Sequence, residues 1–229
     1  MSIIKEASAP CSKCGEKQII KIYRSINTAE NPELKEKVRN GSLFLWECPH
    51  CGQVNLAKYE TLYHDPQTKL MVWLLPEGSL GDTERQAVEK HMAAIADRMC
   101  SDGGGLDGYV LRQVSDAGSL IEKVSIHEAG LDDVVMEMCK YVTRLELAGK
   151  EKDKERAAAI VAAPMKFYRI EGPDNDITFS YPLDGQMHGA QVGFNVYEDC
   201  RGIVQRNPSV RPEPGFVKVD AGWLSGKIR

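Results

Sequence analysis

The sequence predicts an α+β fold, in which a ribbon-like antiparallel sheet is extended by further strands and packed with helices, and a small β-rich unit follows at the C-terminus. Two Cys-x-x-Cys-Gly motifs, at 11–15 and 48–52, and the strand-like segments around them predict the ribbon. Beyond residue 164, short apolar runs alternate with turns rich in Gly, Pro, Asn and Asp, which predicts the β-rich unit.

The two motifs are typical of a metal site made of four thiolates. One tetrahedral ion needs four soft ligands and each motif supplies two, so we predict that Cys11, Cys14, Cys48 and Cys51 bind one Zn²⁺ ion. The glycine after each pair can adopt a left-handed conformation with its N–H facing the sulfur atoms. The flanking strands then form a zinc ribbon. Because protein sulfur fills every ligand position, we expect a structural metal and no catalytic residues.

Two alternatives for the cysteines remain open. Rubredoxins use the same pair of motifs for a one-electron iron centre, and a four-sulfur site accepts either metal. Disulfides or free thiols are the second alternative. The odd number of seven cysteines fits a reducing compartment better, so we expect a cytoplasmic protein. Outside the motifs, Cys100 and Cys139 are expected to pack at helix surfaces, and Cys200 is expected to be an exposed thiol at a turn.

Local patterns predict the elements of the ribbon core, at about 8–76. Asn31 followed by Pro32 is typical of a helix start, and Asn40-Gly41 of a helix end, which predicts a short helix over 32–39. Alternating or continuous apolar residues predict strands at Lys17–Ile26, Ser42–Glu47, Gln53–Tyr63 and Leu70–Leu75.

Three longer helices are predicted at about 82–148. Thr83 and Gln86 form a capping-box pattern for the first, Asp116 is the predicted cap of the second, and Gly130 separates the second from the third. A strand at Tyr109–Val114 precedes the second helix. Each helix carries an apolar stripe, and we expect the three to cover one side of the sheet.

These elements predict a domain at 1–149 that combines the ribbon core and the helices. Residues 150–164 are first charged and then alanine-rich, which predicts an exposed helix or a semi-rigid linker. The C-terminal unit occupies 165–229. Its strands are predicted at Lys166–Glu171, Asp176–Tyr181, Ala190–Tyr197 and Gly215–Val219.

Charge and hydropathy limit the partners. The formal net charge is −4, and no part of the chain has the strongly basic character of a domain that neutralises phosphates, so nucleic-acid binding is not favoured. Lys13, Lys17, Lys21 and Arg24 lie near the first motif, where they would offset the negative charge of a centre with four thiolates and one zinc. No segment approaches the roughly 20 apolar residues that cross a bilayer, so we expect no membrane role.

Several motifs together make the chain resemble the CpXC domain family of bacteria and archaea. The resemblance covers roughly residues 8–148 and predicts a bacterial source. It implies a zinc-binding fold around the four cysteines and no particular activity. The motifs that carry it are Ser25-Ile26-Asn27, Asn31-Pro32-Glu33-Leu34-Lys35, Gly41-Ser42-Leu43-Phe44, Cys48-Pro49-His50-Cys51-Gly52, Tyr63-His64-Asp65-Pro66, Ser119-Leu120-Ile121-Glu122-Lys123 and Ala129-Gly130-Leu131-Asp132-Asp133.

We therefore predict a zinc-binding protein whose structural four-cysteine zinc supports a protein-interaction or adaptor function, with a protein as its partner. It is not expected to be an enzyme. Three alternatives stay open: a nucleic-acid-binding zinc ribbon, a rubredoxin-like iron centre for electron transfer, and an enzyme with a site between the two units.

Overall fold

The computed structural model describes residues 2–100 and 105–228, in which helices and strands are mixed along the chain. The helices are α1 (Pro32–Arg39), α2 (Asp82–Cys100), α3 (Ala117–Glu128), α4 (Asp133–Lys150), α5 (Lys154–Ala162), α6 (Phe194–Arg206) and α7 (Ala221–Lys227). The strands are β1 (Ile3–Pro10), β2 (Lys17–Asn27), β3 (Leu45–Glu47), β4 (Val54–Leu56), β5 (Thr61–Asp65), β6 (Leu70–Leu74), β7 (Val110–Val114), β8 (Lys166–Glu171), β9 (Asp176–Leu183) and β10 (Gln186–Val192). The α+β class predicted from the sequence is confirmed.

The described strands form three sheets. The largest has the order β1-β2-β5-β6-β7, with β2–β5 and β6–β7 parallel and the other pairs antiparallel. Strands β3 and β4 pair only with each other, and β8, β9 and β10 form an antiparallel meander. The ribbon strands thus belong to two sheets rather than one. The first hairpin, β1–β2, is part of the large sheet, and the second, β3–β4, stands apart from it.

Two compact units account for the described chain. Unit 1 comprises Met1–Val124 and Glu213–Lys218, and unit 2 comprises Ser125–Pro212 and Val219–Arg229. The division falls within α3, earlier in the chain than the change of composition at residue 149. The division of the chain into a domain at 1–149, a helix or linker at 150–164 and a β-rich unit at 165–229 stays a prediction.

The core of unit 1 explains the apolar sequence of β6. All five of its residues are buried, and they alternate between the two faces of the sheet. Leu70, Val72 and Leu74 share one cluster with residues of α1 and α3, whereas Met71 belongs to a second cluster with Ile95 of α2. The expectation that the helices cover one side of the sheet is therefore wrong, because α2 lies on the opposite face.

The core of unit 2 lies between its meander and its helices. Ile177 and Phe179 of β9 are fully buried with Met136 and Cys139 of α4, and Leu224 of α7 is 1% exposed. Within this unit α4 packs against α5, α6 and α7. The segment 150–164, for which a helix or a linker was predicted, contains the helix α5.

Several predicted elements differ from the structure. Strand β1 was not predicted, and the strand predicted at Gln53–Tyr63 is two short strands, β4 and β5. The strand predicted at Ala190–Tyr197 is wrong in its second half, where α6 begins at Phe194. At Gly215–Val219 the structure has one isolated bridge, between Arg112 and Val217, instead of a strand.

In residues 2–100 and 105–228, no helix combines the length and the hydropathy that crossing a bilayer requires. The side chain of Cys100 and residues 101–104 lie outside the described residues, so the predicted packing of Cys100 stays a prediction. Cys200, which was expected at a turn as an exposed thiol, lies in α6 and is 2% exposed. The expectation failed because the Asp-Cys-Arg sequence around it suggested solvent, whereas one face of the amphipathic α6 is buried.

Candidate metal centre

The two Cys-x-x-Cys-Gly motifs fold into turns of the same design. In the first, the N–H of Cys11 donates to the carbonyl of Glu16 at 2.9 Å, and the N–H of Gly15 donates to the carbonyl of Cys11 at 3.0 Å. In the second, the N–H of Cys48 donates to the carbonyl of Gln53 at 2.9 Å, and the N–H of Gly52 donates to the carbonyl of Cys48 at 2.9 Å. The shared pattern shows that the spacing of the motif dictates its turn.

The glycine at the end of each turn has the predicted left-handed conformation. Gly15 has φ of 76° and Gly52 has φ of 69°. A side chain would be strained at this φ, which explains why glycine follows the second cysteine of both motifs. Each turn is held by a hairpin, the first between β1 and β2 and the second between β3 and β4.

All four predicted ligands come together. The sulfur atoms of Cys11, Cys14, Cys48 and Cys51 lie within 4.8 Å of one another, and the structure therefore forms a cluster that can hold a metal ion. Sulfur atoms from different turns approach closely, at 3.6 Å between Cys11 and Cys51 and 3.7 Å between Cys14 and Cys48. Cys11 and Cys48 are buried, Cys51 is half-buried and Cys14 is exposed, so the cluster has one side toward solvent.

Asn55 of β4 joins the two turns and was missed by the sequence analysis. Its Oδ1 accepts hydrogen bonds from the N–H of Ser12 at 2.9 Å and from Ser12 Oγ at 2.8 Å. Its Nδ2 lies 3.7 Å from Cys11 Sγ and donates to the carbonyl of Gln53 at 2.9 Å. In the sequence, the only signal was a polar residue in a strand close behind the second motif. In the structure, Asn55 is buried, at 6% exposed.

The protons of the cluster are distributed unevenly among the thiols. The N–H of Cys14, followed by that of Lys13, stabilises the Cys11 thiolate and lowers the pKa of Cys11 to about 6. The N–H of Glu16 acts to lower the pKa of Cys14, but desolvation and the hydrogen bonds to the neighbouring thiols raise it to about 12. Four thiolates so close together repel one another, and a bound cation would compensate this repulsion.

The two histidines near the ligands in sequence do not join the cluster. His50 lies between the cysteines of the second motif and its side chain is exposed. His64 lies in β5, and its Nε2 is hydrogen-bonded to the hydroxyl of Tyr109 at 3.0 Å. Among the described residues, these four cysteines are the one group of three or more His, Cys, Asp or Glu side chains close enough together to hold a metal ion. The candidate ligands are therefore all sulfur.

The comparisons agree with this geometry. The family model described as CpXC protein matches residues 9–140, a segment that contains all four clustered cysteines and more than half of the chain. Comparisons with curated proteins and with solved structures find no significant match. The matched segment and the four-cysteine cluster that it contains show that the chain belongs to the CpXC protein family.

Proposed function

We propose that this chain binds one zinc ion at the four cysteines and that this structural four-thiolate centre supports a protein-interaction or adaptor function. The observation that carries the zinc assignment is the cluster itself. Zn–S bonds of about 2.3 Å in a tetrahedron place the sulfur atoms about 3.8 Å apart. The two close approaches, at 3.6 and 3.7 Å, agree with that separation.

The donor set favours a structural role over a catalytic one. Four protein sulfurs complete a tetrahedron and leave no position for water or substrate, whereas catalytic zinc sites keep one position open. Zinc in small structural sites contributes on the order of 10–16 kcal/mol of coupled binding and folding. The metal would therefore hold the β1–β2 and β3–β4 hairpins together.

Metal analysis of protein purified without added metal tests the assignment. We expect one zinc per chain and no visible absorption. An iron-to-chain ratio near one with visible absorption would overturn zinc in favour of the rubredoxin-like alternative. In parallel, Cys48→Ser should lose the metal and unfold at a lower temperature. Cys139→Ser, which alters a cysteine of unit 2, is the matched control and should keep its zinc.

The support for protein binding is an aliphatic patch on the β3–β4 hairpin. Leu45 and Leu56 are directly paired across the hairpin, and Val54 lies on the same face. The three side chains, here called the hairpin patch, are 49%, 53% and 53% exposed. Exposed aliphatic side chains that cluster on a rigid element are typical of interaction surfaces, and a metal at the adjacent turn would make this element rigid.

The charges around the hairpin favour an acidic, apolar protein segment as the partner. A groove of about 530 Å³ runs beside β4, and Lys58 is the one charged residue that lines it. A second groove, of about 420 Å³, is lined by Lys21, Lys37 and Glu47, so both grooves carry a positive balance. Nucleic acid is disfavoured because a balance of one positive charge in each groove is far below the basic surface that neutralises phosphates.

Selection from a random peptide library on the zinc-loaded chain tests the adaptor role. We expect enrichment of peptides that combine acidic and aliphatic residues, and loss of their binding in Leu56→Asp. Leu145→Asp alters a leucine of α4 that is 45% exposed and should bind normally. No enrichment, or binding of a mixed-sequence oligonucleotide that Leu56→Asp abolishes, would overturn the adaptor proposal and leave the zinc assignment standing.

A further inference from the structure

Two cysteines outside the metal cluster meet in the core of unit 2. Cys139 of α4 and Cys200 of α6 are free thiols, and they are 0% and 2% exposed. Both side chains belong to the same buried cluster of unit 2, and each thiol shifts the pKa of the other. The sulfur of Cys139 also lies 3.9 Å from the carbonyl oxygen of Val196, which is one helical turn before Cys200. The sulfur of Cys139 therefore lies against the turn of α6 that ends at Cys200.

A second contact fixes the two helices near this point. The backbone N–H of Asp132, at the start of α4, donates to the hydroxyl of Tyr197 on α6 at 2.8 Å. Tyr197 is itself 4% exposed, so the contact lies in the packed interior. The two cysteines therefore lie on helices that pack directly against each other inside one core, which is the arrangement from which two sulfur atoms can reach the bonding distance of about 2.05 Å.

We propose that Cys139 and Cys200 form a dithiol modification site, at which hydrogen peroxide or another small hydroperoxide converts the two thiols into a disulfide that joins α4 to α6. The site lies in unit 2, and the proposal does not depend on the metal or on the adaptor function.

The reaction has two steps. In the first, the Cys200 thiolate attacks one oxygen of hydrogen peroxide, the O–O bond breaks and hydroxide leaves, so that Cys200 becomes a sulfenic acid. In the second, the sulfur of Cys139 attacks the sulfur of Cys200, the S–O bond breaks and the departing hydroxide leaves as water with the Cys139 proton. Two thiols and one peroxide thus give one disulfide and two water molecules.

The sulfur of Cys139 faces the carbonyl oxygen of Val196, to which only a protonated thiol can donate, so the first step falls to Cys200. The hydrogen bond from Cys139, which stabilises the thiolate, lowers the pKa of Cys200 despite burial and the nearby carboxylate of Asp199. The same hydrogen bond, together with burial, raises the pKa of Cys139. The thiolate is the nucleophile in such oxidations, so Cys200 reacts with peroxide and Cys139 resolves the product. Peroxide is close to water in size and can enter through local opening of the unit.

Peptide mapping of the intact, zinc-loaded chain tests the proposal without a variant. Trypsin cleaves on either side of 124–140 and of 170–201, so each cysteine is alone in its peptide. After peroxide treatment, denaturation and alkylation of the remaining thiols, we expect the two peptides joined, with a mass equal to their sum less two hydrogen atoms and plus one oxygen atom for the sulfoxide of Met187. Dithiothreitol should separate them. Cys139→Ser and Cys200→Ser should each abolish the joined species.

An internal standard makes a negative result decisive. Met187 lies in the peptide of Cys200 and is 67% exposed, so peroxide should oxidise it readily. If Met187 becomes the sulfoxide while both cysteines remain open to alkylation after denaturation, the proposal is overturned and the pair serves packing alone. Oxidation of each cysteine separately to the sulfinic acid, without a joined peptide, would overturn it as well.

Discussion

At the scale of single residues, the metal centre depends on a side chain that binds no metal. Asn55 bonds to Ser12 in the first turn and to Gln53 in the second, so it fixes one turn relative to the other. It also places an N–H donor toward the sulfur of Cys11. Partners of this kind orient the ligands, and their removal commonly costs about 10- to 100-fold in metal affinity.

Asn55→Asp should weaken zinc binding by about 10- to 100-fold. The variant keeps the acceptor for Ser12 but replaces the donor near Cys11 with a carboxylate oxygen, which repels the thiolates. Competition with a chelator of known affinity would measure the change. Asn40→Asp at the end of α1 is the control. There the side-chain oxygen accepts a hydrogen bond from the N–H of Ser42, and the substitution keeps that acceptor. Equal affinities for Asn55→Asp and the wild type would contradict this role.

A buried carboxylate in unit 1 should make stability depend on pH. Burial acts to raise the pKa of Asp65, but the Lys35 ammonium, at 2.8 Å, and the N–H of Thr68 outweigh it and hold the pKa below its ordinary value of 3.8. A carboxylate with a lowered pKa in the folded state stabilises the fold above its unfolded pKa. This stabilisation is lost as the pH falls from 3.8 through the folded pKa.

Asp65→Asn should therefore lower the free energy of unfolding by about 1–3 kcal/mol at neutral pH. The difference from the wild type should shrink as the pH falls below about 4. Urea denaturation at a series of pH values measures the difference from the wild type at each pH, which cancels effects of acid on the thiolates. Glu36→Gln breaks the exposed pair with Arg39 and should change stability by well under about 1 kcal/mol. If the difference in unfolding free energy between Asp65→Asn and the wild type stays constant with pH, the Asp65 carboxylate is not the source of the pH dependence.

At the scale of elements, two helices that begin with similar sequence patterns differ in whether the first side chain caps the helix. Asp132 caps α4, since its Oδ1 accepts from the N–H groups of Val134 at 2.7 Å and Val135 at 3.3 Å. Asn31 precedes α1 in the same way, but it makes no side-chain cap hydrogen bond. The predicted cap at Asn31 is therefore wrong, although the predicted bounds of α1 are confirmed.

Asp132→Ala should destabilise unit 2 by about 1 kcal/mol, whereas Asn31→Ala should cost only a few tenths in unit 1. The difference arises because only the first substitution leaves two N–H groups of a helix without their acceptor. Chemical denaturation in excess zinc gives both values. Equal losses would show that propensity, rather than the cap hydrogen bond, sets the cost.

Sequence patterns predicted local elements better than pairings between distant ones. Helix α1 and strand β8 have the predicted bounds because their signals lie within a few residues of each end. The cysteine turns were predictable for the same reason. Strand β1 was missed because its sequence has no clear alternation, and its pairing with β2 sets it in place. Strands β2 and β5, which pair in parallel, are separated in the sequence by the whole second motif. Local patterns contain no information on a pairing between such distant segments.

At the scale of the whole molecule, the candidate metal centre belongs to one of the two compact units. All four clustered cysteines lie in unit 1, at the ends of the β1–β2 and β3–β4 hairpins. Strands β3 and β4 have three residues each and pair only with each other. A hairpin of this length is marginal in water, so the metal should be its main source of stability.

Removal of zinc should therefore act locally. Hydrogen exchange of the zinc-loaded and chelator-treated chain, followed by mass spectrometry of peptic peptides, should show lost protection in β3 and β4 first and in β1 and the start of β2 next. Protection of β9 and α4 should stay within error, because their core is built from side chains of unit 2 alone. Strands β5 and β6, which are closed into the large sheet, should lose less than β3 and β4. Loss of protection in β9 or α4 equal to that in β3 would contradict a local effect, and unchanged exchange in β3 would show that the hairpin does not depend on the metal.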